Sequence, residues 1–283
     1  MPGRQVMFDR NMANTYVIRT TCRYSPVTFR LVMFSPSGIG ARRPREDSGM
    51  GTLKRVLAGV TSPGVVGAVK NLRSELGLAY RHSRSVRKAA LYKGKRGLKV
   101  NLGSGYATKP GWVNVDLNKA ADLALDLRRP MPLDDGSCSI IYSEHFLEHL
   151  EYPGDTLAFL RECYRVLEPG GRFSVGVPDT EWYMLDYCGA ENSGRRQAGF
   201  PDEDVFAMAK RLWHPKWCVT RMEHLHHHAR QGQEHKFAYD AESLDHVLRQ
   251  AGFTDVRRRA FDPAMDSEGR ALNTLYMDAR KPG

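Results

Sequence analysis

Long apolar runs are missing from this 283-residue chain. None approaches the roughly 20 residues that a membrane-spanning helix needs, which argues against an integral membrane protein. Cysteine is scarce and scattered: Cys22, Cys138, Cys163, Cys188 and Cys218 are odd in number and form no C-x-x-C pair. That spacing argues against a disulfide framework or a zinc knuckle and points to a reducing, cytoplasmic compartment. Acidic residues are scarce at one end only. Residues 1–97 carry 19 Lys and Arg against 4 Asp and Glu, whereas the whole chain has a net charge of +10, so the remainder is net acidic. Aromatic residues are not interleaved with these cations as base stacking favours, which argues against a nucleic-acid partner. Two readings of the basic third stay open: a solvated leader, or a surface that meets lipid headgroups or an acidic glycan.

Residues 1–50 lack periodicity and end in SPSGIGARRPREDSG. They are read as a disordered extension, an Arg-rich targeting segment, or sequence upstream of a start at Met50. Residues 51–97 form a basic amphipathic segment, expected as one or two short helices broken at Pro63 and Gly64. Such a segment either lies peripherally on an anionic membrane or packs on its own domain. From Leu98 the pattern changes. LKVNL (98–102), WVNVD (112–116), DLALD (122–126), CSIIYS (138–143) and GRFSVGVP (171–178) read as strands. PGDTLAFLRECYRVL between the last two reads as a helix, with Leu157, Leu160, Cys163 and Tyr164 on one face and a stop at Pro169-Gly170-Gly171. Residues 202–213 and 241–251 read as helices, and 253–258 and 275–279 as closing strands. Short strands alternating with helices predict an α/β fold, a mostly parallel sheet covered by helices.

Gly103-Ser104-Gly105 follows the first strand directly. In open α/β sheets ligands bind beyond the carboxyl ends of strands, and glycine there admits a ligand to the backbone. Asp116 ends the next strand, where a carboxylate can accept both hydroxyls of a ribose. Asp126 ends the third, placed to meet an adenine amino group, and Ser143-Glu144-His145 end the fourth. NLGSG, VNVD, ALDL, IIYSEHFLEHL and LRECYRVLEPGGRFSVGVPD together resemble the class I S-adenosylmethionine-dependent methyltransferases, in particular the type 11 group. The pattern N-L-G-S-G … G-W-x-N-V-D is similar to compact members associated with glycan and glycolipid assembly. The resemblance covers about residues 98–180. It implies a Rossmann-like domain over 98–283 with an acceptor-binding insert at about 179–240, and S-adenosyl-L-methionine as cofactor. The cofactor-binding residues it implies are Leu102, Gly103, Ser104, Gly105, Asp116, Leu117, Asp126, Leu127, Ser143 and Glu144. Two departures stand out: Ala107 occupies the region of the usual third glycine, and about seven residues link Gly105 to the next strand. A parallel crossover usually takes a dozen or more, with a helix, so ATKPGW is expected as an open loop.

His145 and His149 lie four apart, a spacing that would share a helix face. The resemblance places this segment beside the transferred methyl group. Methyl transfer to a hydroxyl needs the oxygen positioned and its proton removed, and histidine suits the second task at neutral pH. Either His145 or His149 is that base, or these histidines orient substrate. HFLEH also matches the H-x-x-E-H of a zinc hydrolase. The stretch 224–235 holds His224, His226, His227, His228 and His235, with Glu223 and Glu234 nearby. It reads as a divalent-ion site or as a polar loop lining the acceptor pocket. The second is preferred because no fixed ligand spacing is met, and no metal is assigned. HKFAYD assigns His235, Tyr239 and Asp240 to acceptor binding or catalysis, by resemblance. Trp182, Tyr183 and Tyr187 either stack on a sugar ring or belong to the core. The expected acceptor is a small molecule, in particular a sugar or glycolipid hydroxyl. A non-catalytic module of the same fold is the alternative.

Overall fold

The computed structural model describes residues 62–189 and 204–283. The expectations for 1–50, and for 51–61 and 202–203, lie outside the described residues. Residues 64–283 form one compact unit.

A six-stranded sheet forms its centre. In chain order the strands are β1 (Leu98–Leu102), β2 (Val113–Val115), β3 (Cys138–Glu144), β4 (Leu167–Pro178), β5 (Thr254–Arg259) and β6 (Thr274–Arg280). Their spatial order is β2-β1-β3-β4-β6-β5, with β2 to β4 parallel and β6 antiparallel to both of its neighbours. The central strands are apolar on both faces, as a sheet covered on two sides requires. Val100, Leu102, Ile141, Phe173, Val175 and Val177 are all fully buried. Between β3 and β4 runs α2 (Gly154–Val166), which buries Phe159, Leu160 and Cys163 against this core. It stops at Val166 rather than at the Pro-Gly-Gly run, because β4 begins at once and Gly170 and Gly171 pair with Lys281 beside β6.

Three other expectations change. Pro63 opens a helix instead of breaking one: α1 (Pro63–Lys88) starts where a missing N–H costs nothing. One face of α1 buries Leu78, His82 and Ser85, and the other exposes Val69, Leu72, Leu76 and Tyr80. DLALD is not a strand; it makes one bridge, Val115 to Leu123. Two of its backbone donors are diverted to α1, Ala124 N–H to Ser85 Oγ (2.8 Å) and Asp126 N–H to His82 Nδ1 (3.1 Å). The histidine-rich stretch is a helix, α5 (Arg221–Arg230), begun by a reciprocal cap between Thr220 and Glu223. It packs with α3 (Thr180–Tyr187) and α4 (Val205–Leu212) around Trp182, Tyr183, Phe206 and Met208. Trp182 and Tyr183 are therefore core residues, and Tyr187 is exposed. The last helix, α6 (Ala241–Gln250), is capped by Asp240 and lays Leu244, Val247 and Leu248 on the main core, with Tyr239 buried just before it. Asp240 is thus spent on the cap. No helix among the described residues is long and apolar enough to cross a membrane.

Candidate active site

The first crossover holds no helix, and two buried asparagines do the work of one. Asn101 on β1 donates to Ala107 O (3.1 Å) and to Asn114 Oδ1 (3.1 Å). Asn114 on β2 takes the Lys109 N–H (2.8 Å) and returns a bond to Lys109 O (3.1 Å). Asparagine is unfavourable in a strand, so its place in both NLGSG and VNVD was a readable signal of this clamp. The clamp fixes an open loop at the strand ends, with Gly103 (φ +66°) and Gly105 (φ +52°) in left-handed backbone. The Gly105 N–H donates to Asp116 Oδ2 (2.9 Å), so the glycine turn and the acid of β2 are in contact.

Above the turn lies a crevice of about 320 Å³ lined by Gly103, Ser104, Gly105, Tyr106, Lys109, Tyr142, Glu144, Ser267, Gly269 and Arg270. A Cβ built on Gly105 would meet nothing within 4 Å, so this face of the turn is an open cradle. Glu144, at the end of β3, is caged by β6 and the chain before it: Tyr276 Oη (2.8 Å) and Ser267 Oγ (2.5 Å) donate to it, and Arg270 stands 3.7 Å away. Lys109 Nζ sits over the Tyr142 ring (4.5 Å from its centroid), and burial lowers its pKa.

The other expected cofactor residues divide. The side chains of Leu102 and Leu127 lie in the core. Leu117 is exposed, and its carbonyl accepts from Arg81 of α1 (3.1 Å). Asp126 is buried but occupied: Arg128 pairs with it at 2.9 Å and also gives it a backbone N–H bond, while Arg129 stands at 3.6 Å. Despite burial, these arginines hold its pKa below the ordinary carboxylate value. Ser143 is fully buried beneath the turn, its Oγ without a hydrogen-bond partner.

A second cavity, of about 510 Å³, is lined by His145, Pro178, Trp213, His214, His227, His228, His235, Asn273 and Thr274, and again by Gly269 and Arg270. Gly269 and Arg270 thus line both cavities. His145 and His149 do not share a helix face: His145 is left-handed (φ +52°), and only Leu147–His149 make a short 3₁₀ turn. His145 Nε2 bonds Thr274 Oγ1 (2.9 Å), and its Nδ1 lies 3.6 Å from Glu148 Oε1. Burial, reinforced by Arg270, holds its pKa well below the ordinary imidazole value, so it stands neutral at pH 7. His149 does not line the cavity. Its Nδ1 bonds Glu234 O (3.1 Å), and its Nε2 is 3.9 Å from Glu148 Oε1. His235 does line it, with Nδ1 bonded to His228 O (3.0 Å), and burial lowers its pKa. Glu148 is 1% exposed, both of its oxygens lack a hydrogen-bond partner, and burial pushes its pKa up to about 8. Lys109, Tyr142, Trp213, Ser267, Gly269, Arg270, Asn273 and Thr274 were absent from the sequence-based assignment.

Comparison with known proteins fits this geometry. Residues 111–175, from the end of the clamped loop into β4, match the family model described as a methyltransferase domain. The cofactor of such a domain is S-adenosylmethionine. The chain is 36% identical over 74 residues to a protein of Streptomyces fradiae described as an uncharacterized 37.1 kDa protein in transposon TN4556. That match takes in 26% of this chain and 21% of the relative. Similar solved structures include an S-adenosylmethionine-dependent methyltransferase from Archaeoglobus fulgidus (16% identity, TM-score 0.39, 72% of this chain and 94% of that one). Another is phosphoethanolamine N-methyltransferase 2 from Haemonchus contortus with S-adenosyl-L-methionine (12% identity, TM-score 0.39, 71% of this chain and 53% of that one).

The residues present suit that cofactor. Lys109 and Arg270 offer cations to a carboxylate, Glu144 offers negative charge to an ammonium or sulfonium, and Gly105 leaves room for close approach. Asp116, beside the turn, is the ribose candidate.

Proposed function

We propose that the protein transfers a methyl group from S-adenosylmethionine to a hydroxyl of a small-molecule acceptor, in particular a sugar or glycolipid. The observation that carries this reading is that two cavities, one at the glycine turn and one among the histidines, share Gly269 and Arg270 as lining residues. When bound, the cofactor supplies a sulfonium-activated methyl group. Thr274, Asn273 and the neutral imidazoles offer hydrogen bonds to a polyol, and Trp213 offers a ring face. His145 is the group to receive the acceptor's proton, since it lines the acceptor cavity next to the residues shared with the crevice. Being neutral, it has one unprotonated ring nitrogen for that task. The apolar stripe and cations on the outer side of α1 support peripheral contact with an anionic lipid surface, where a glycolipid would reside.

The test pairs calorimetric titration of S-adenosylmethionine with transfer of labelled methyl to a panel of glycans and glycolipid extracts. Micromolar cofactor binding with turnover is expected. Binding without turnover on any acceptor would favour the non-catalytic module. His145→Ala is expected to keep cofactor affinity within about threefold and to lower the transfer rate by roughly 10²–10⁴-fold, the range of a positioned base. Wild-type turnover in that variant would remove His145 from the mechanism. Arg270→Ala is expected to weaken cofactor binding and also raise KM for the acceptor, because both cavities lose a wall. An effect on one ligand alone would show that the cavities act separately.

A further inference from the structure

We infer that Glu148, His149 and His235 form a binding site for one divalent first-row transition ion in the wall of the acceptor cavity. Their ligand atoms all lie within 4.8 Å of one another. A tetrahedral ion with ligands at about 2.1 Å spaces them about 3.4 Å apart, so small side-chain rotations close the set.

Three independent features point to an ion. First, the Glu148 carboxyl is 1% exposed, and neither oxygen has a hydrogen-bond partner. A buried polar group left so is costly, and a carboxylate most of all, unless something pairs with it. Second, both histidines are preset as ligands. His149 and His235 each place Nδ1 on a backbone carbonyl oxygen, Glu234 O at 3.1 Å and His228 O at 3.0 Å. Nδ1 therefore carries the proton and Nε2 presents its lone pair, the arrangement in which metal-bound histidines are held. Third, the chain ties the two halves together. Lys236 N–H donates to Glu148 O at 2.7 Å, which delivers His235 from a distant segment onto the Glu148-His149 turn. The two imidazoles meet edge to face, 5.1 Å between centroids.

This is not the zinc-hydrolase reading of H-x-x-E-H. There the two histidines bind the ion from one helix and the glutamate is the base. Here the left-handed backbone at His145 breaks that face, and Glu148 takes a ligand position. Two imidazoles and one carboxylate leave coordination positions open, and such a set suits Zn²⁺, Fe²⁺ or Co²⁺ above Mg²⁺. Since His235 lines the acceptor cavity, the open side can take an acceptor oxygen. Ion binding itself does not depend on the methyl-transfer reading.

A second histidine cluster provides the control. His214, Cys218 and His224 are also grouped, but there His214 Nδ1 and His224 Nδ1 bond each other at 2.7 Å, so those two nitrogens are already engaged. The full chain, stripped with a chelator, is titrated with Co²⁺ and then Zn²⁺, with binding followed by visible absorption and by elemental analysis. One ion per chain is expected, with no thiolate-to-cobalt band. Glu148→Gln and His235→Ala are each expected to weaken binding at least 100-fold, while Cys218→Ser leaves it unchanged. X-ray absorption of the zinc-loaded wild type needs no variant, and should show nitrogen and oxygen ligands with no sulfur. No bound ion, a sulfur ligand, or an ion lost in Cys218→Ser but kept in His235→Ala would each overturn the assignment.

Discussion

Gly103→Val is expected to weaken S-adenosylmethionine binding by roughly 30- to several-thousand-fold. The sequence suggests that a side chain here would intrude on the ligand, but the structure gives a different first cause. A Cβ on Gly103 would fall 2.6 Å from Cβ and Cγ of Phe146 and 2.8 Å from its Cδ2. Real Cβ atoms essentially never come so close, so Phe146 or the turn must move. Phe146 cannot move freely, because it packs on Phe159 of α2 with ring centroids 5.2 Å apart. The backbone adds its own cost. Gly103 has φ +66°, a region that costs an L-residue about 1–2 kcal/mol and a β-branched one more. Overpacking adds typically about 1–3 kcal/mol. If the turn yields instead of the core, the combined strain of some 2–5 kcal/mol appears as roughly 30- to several-thousand-fold weaker binding. Phe146 also leads into the Leu147–His149 turn, so displacing it would move His145 and Glu148 as well. Gly103→Ala, with the same φ problem but less bulk, should fall between wild type and valine. Calorimetry on folded variants, checked by far-UV circular dichroism, measures the series. Wild-type affinity in the valine variant would place the cofactor away from this turn.

Much of the sheet was legible because its strands are short apolar runs closed by turn residues, a pattern that local sequence carries. LKVNL, WVNVD and CSIIYS fall on β1, β2 and β3 with at most one residue of difference at each end. DLALD was misread for a reason its own sequence cannot show. Its alternation is that of a strand, but Ser85 and His82 of α1, some forty positions earlier, take two of its backbone donors. The glycine turn and Asp116 were legible because both are adjacent to strands. The far wall of the site was not: Ser267, Gly269, Arg270 and Asn273 lie in the loop before β6, which has no strand or helix pattern of its own, and Thr274 is the first residue of β6. They reach Glu144 and His145 through contacts spanning more than a hundred residues. His145 and His149 were assigned to one helix face because i,i+4 spacing carries no information about a left-handed residue between strand and turn.

What holds that far wall in place leads to the second large effect: Arg259→Met is expected to destabilise the fold by about 3–5 kcal/mol, the cost of breaking a buried ion pair from one side. Arg259 on β5 is 11% exposed at its side chain, and Asp266 is 0% exposed. They form a bidentate pair, Nη1 to Oδ2 at 2.6 Å and Nη2 to Oδ1 at 2.7 Å. Asp266 also accepts from Tyr142 Oη (3.0 Å) and from the Asp262 N–H (2.7 Å). Arg259 in turn lies over the Tyr276 ring at 4.5 Å and donates to Ser174 Oγ at 3.1 Å. Without the guanidinium, Asp266 is a buried charge with only neutral donors. The neighbouring residue, Ser267, is the one that bonds Glu144, and Arg270 follows within one turn, so the loss should spread to the crevice. Urea denaturation should show the midpoint fall, and cofactor affinity should fall with it at temperatures where the variant is still folded. Adding Asp266→Asn to Arg259→Met should recover part of the stability, because the amide needs no countercharge. A loss below about 1 kcal/mol, the scale of an exposed pair, would mean that Asp266 reaches solvent or a proton and that the loop is held by its other bonds.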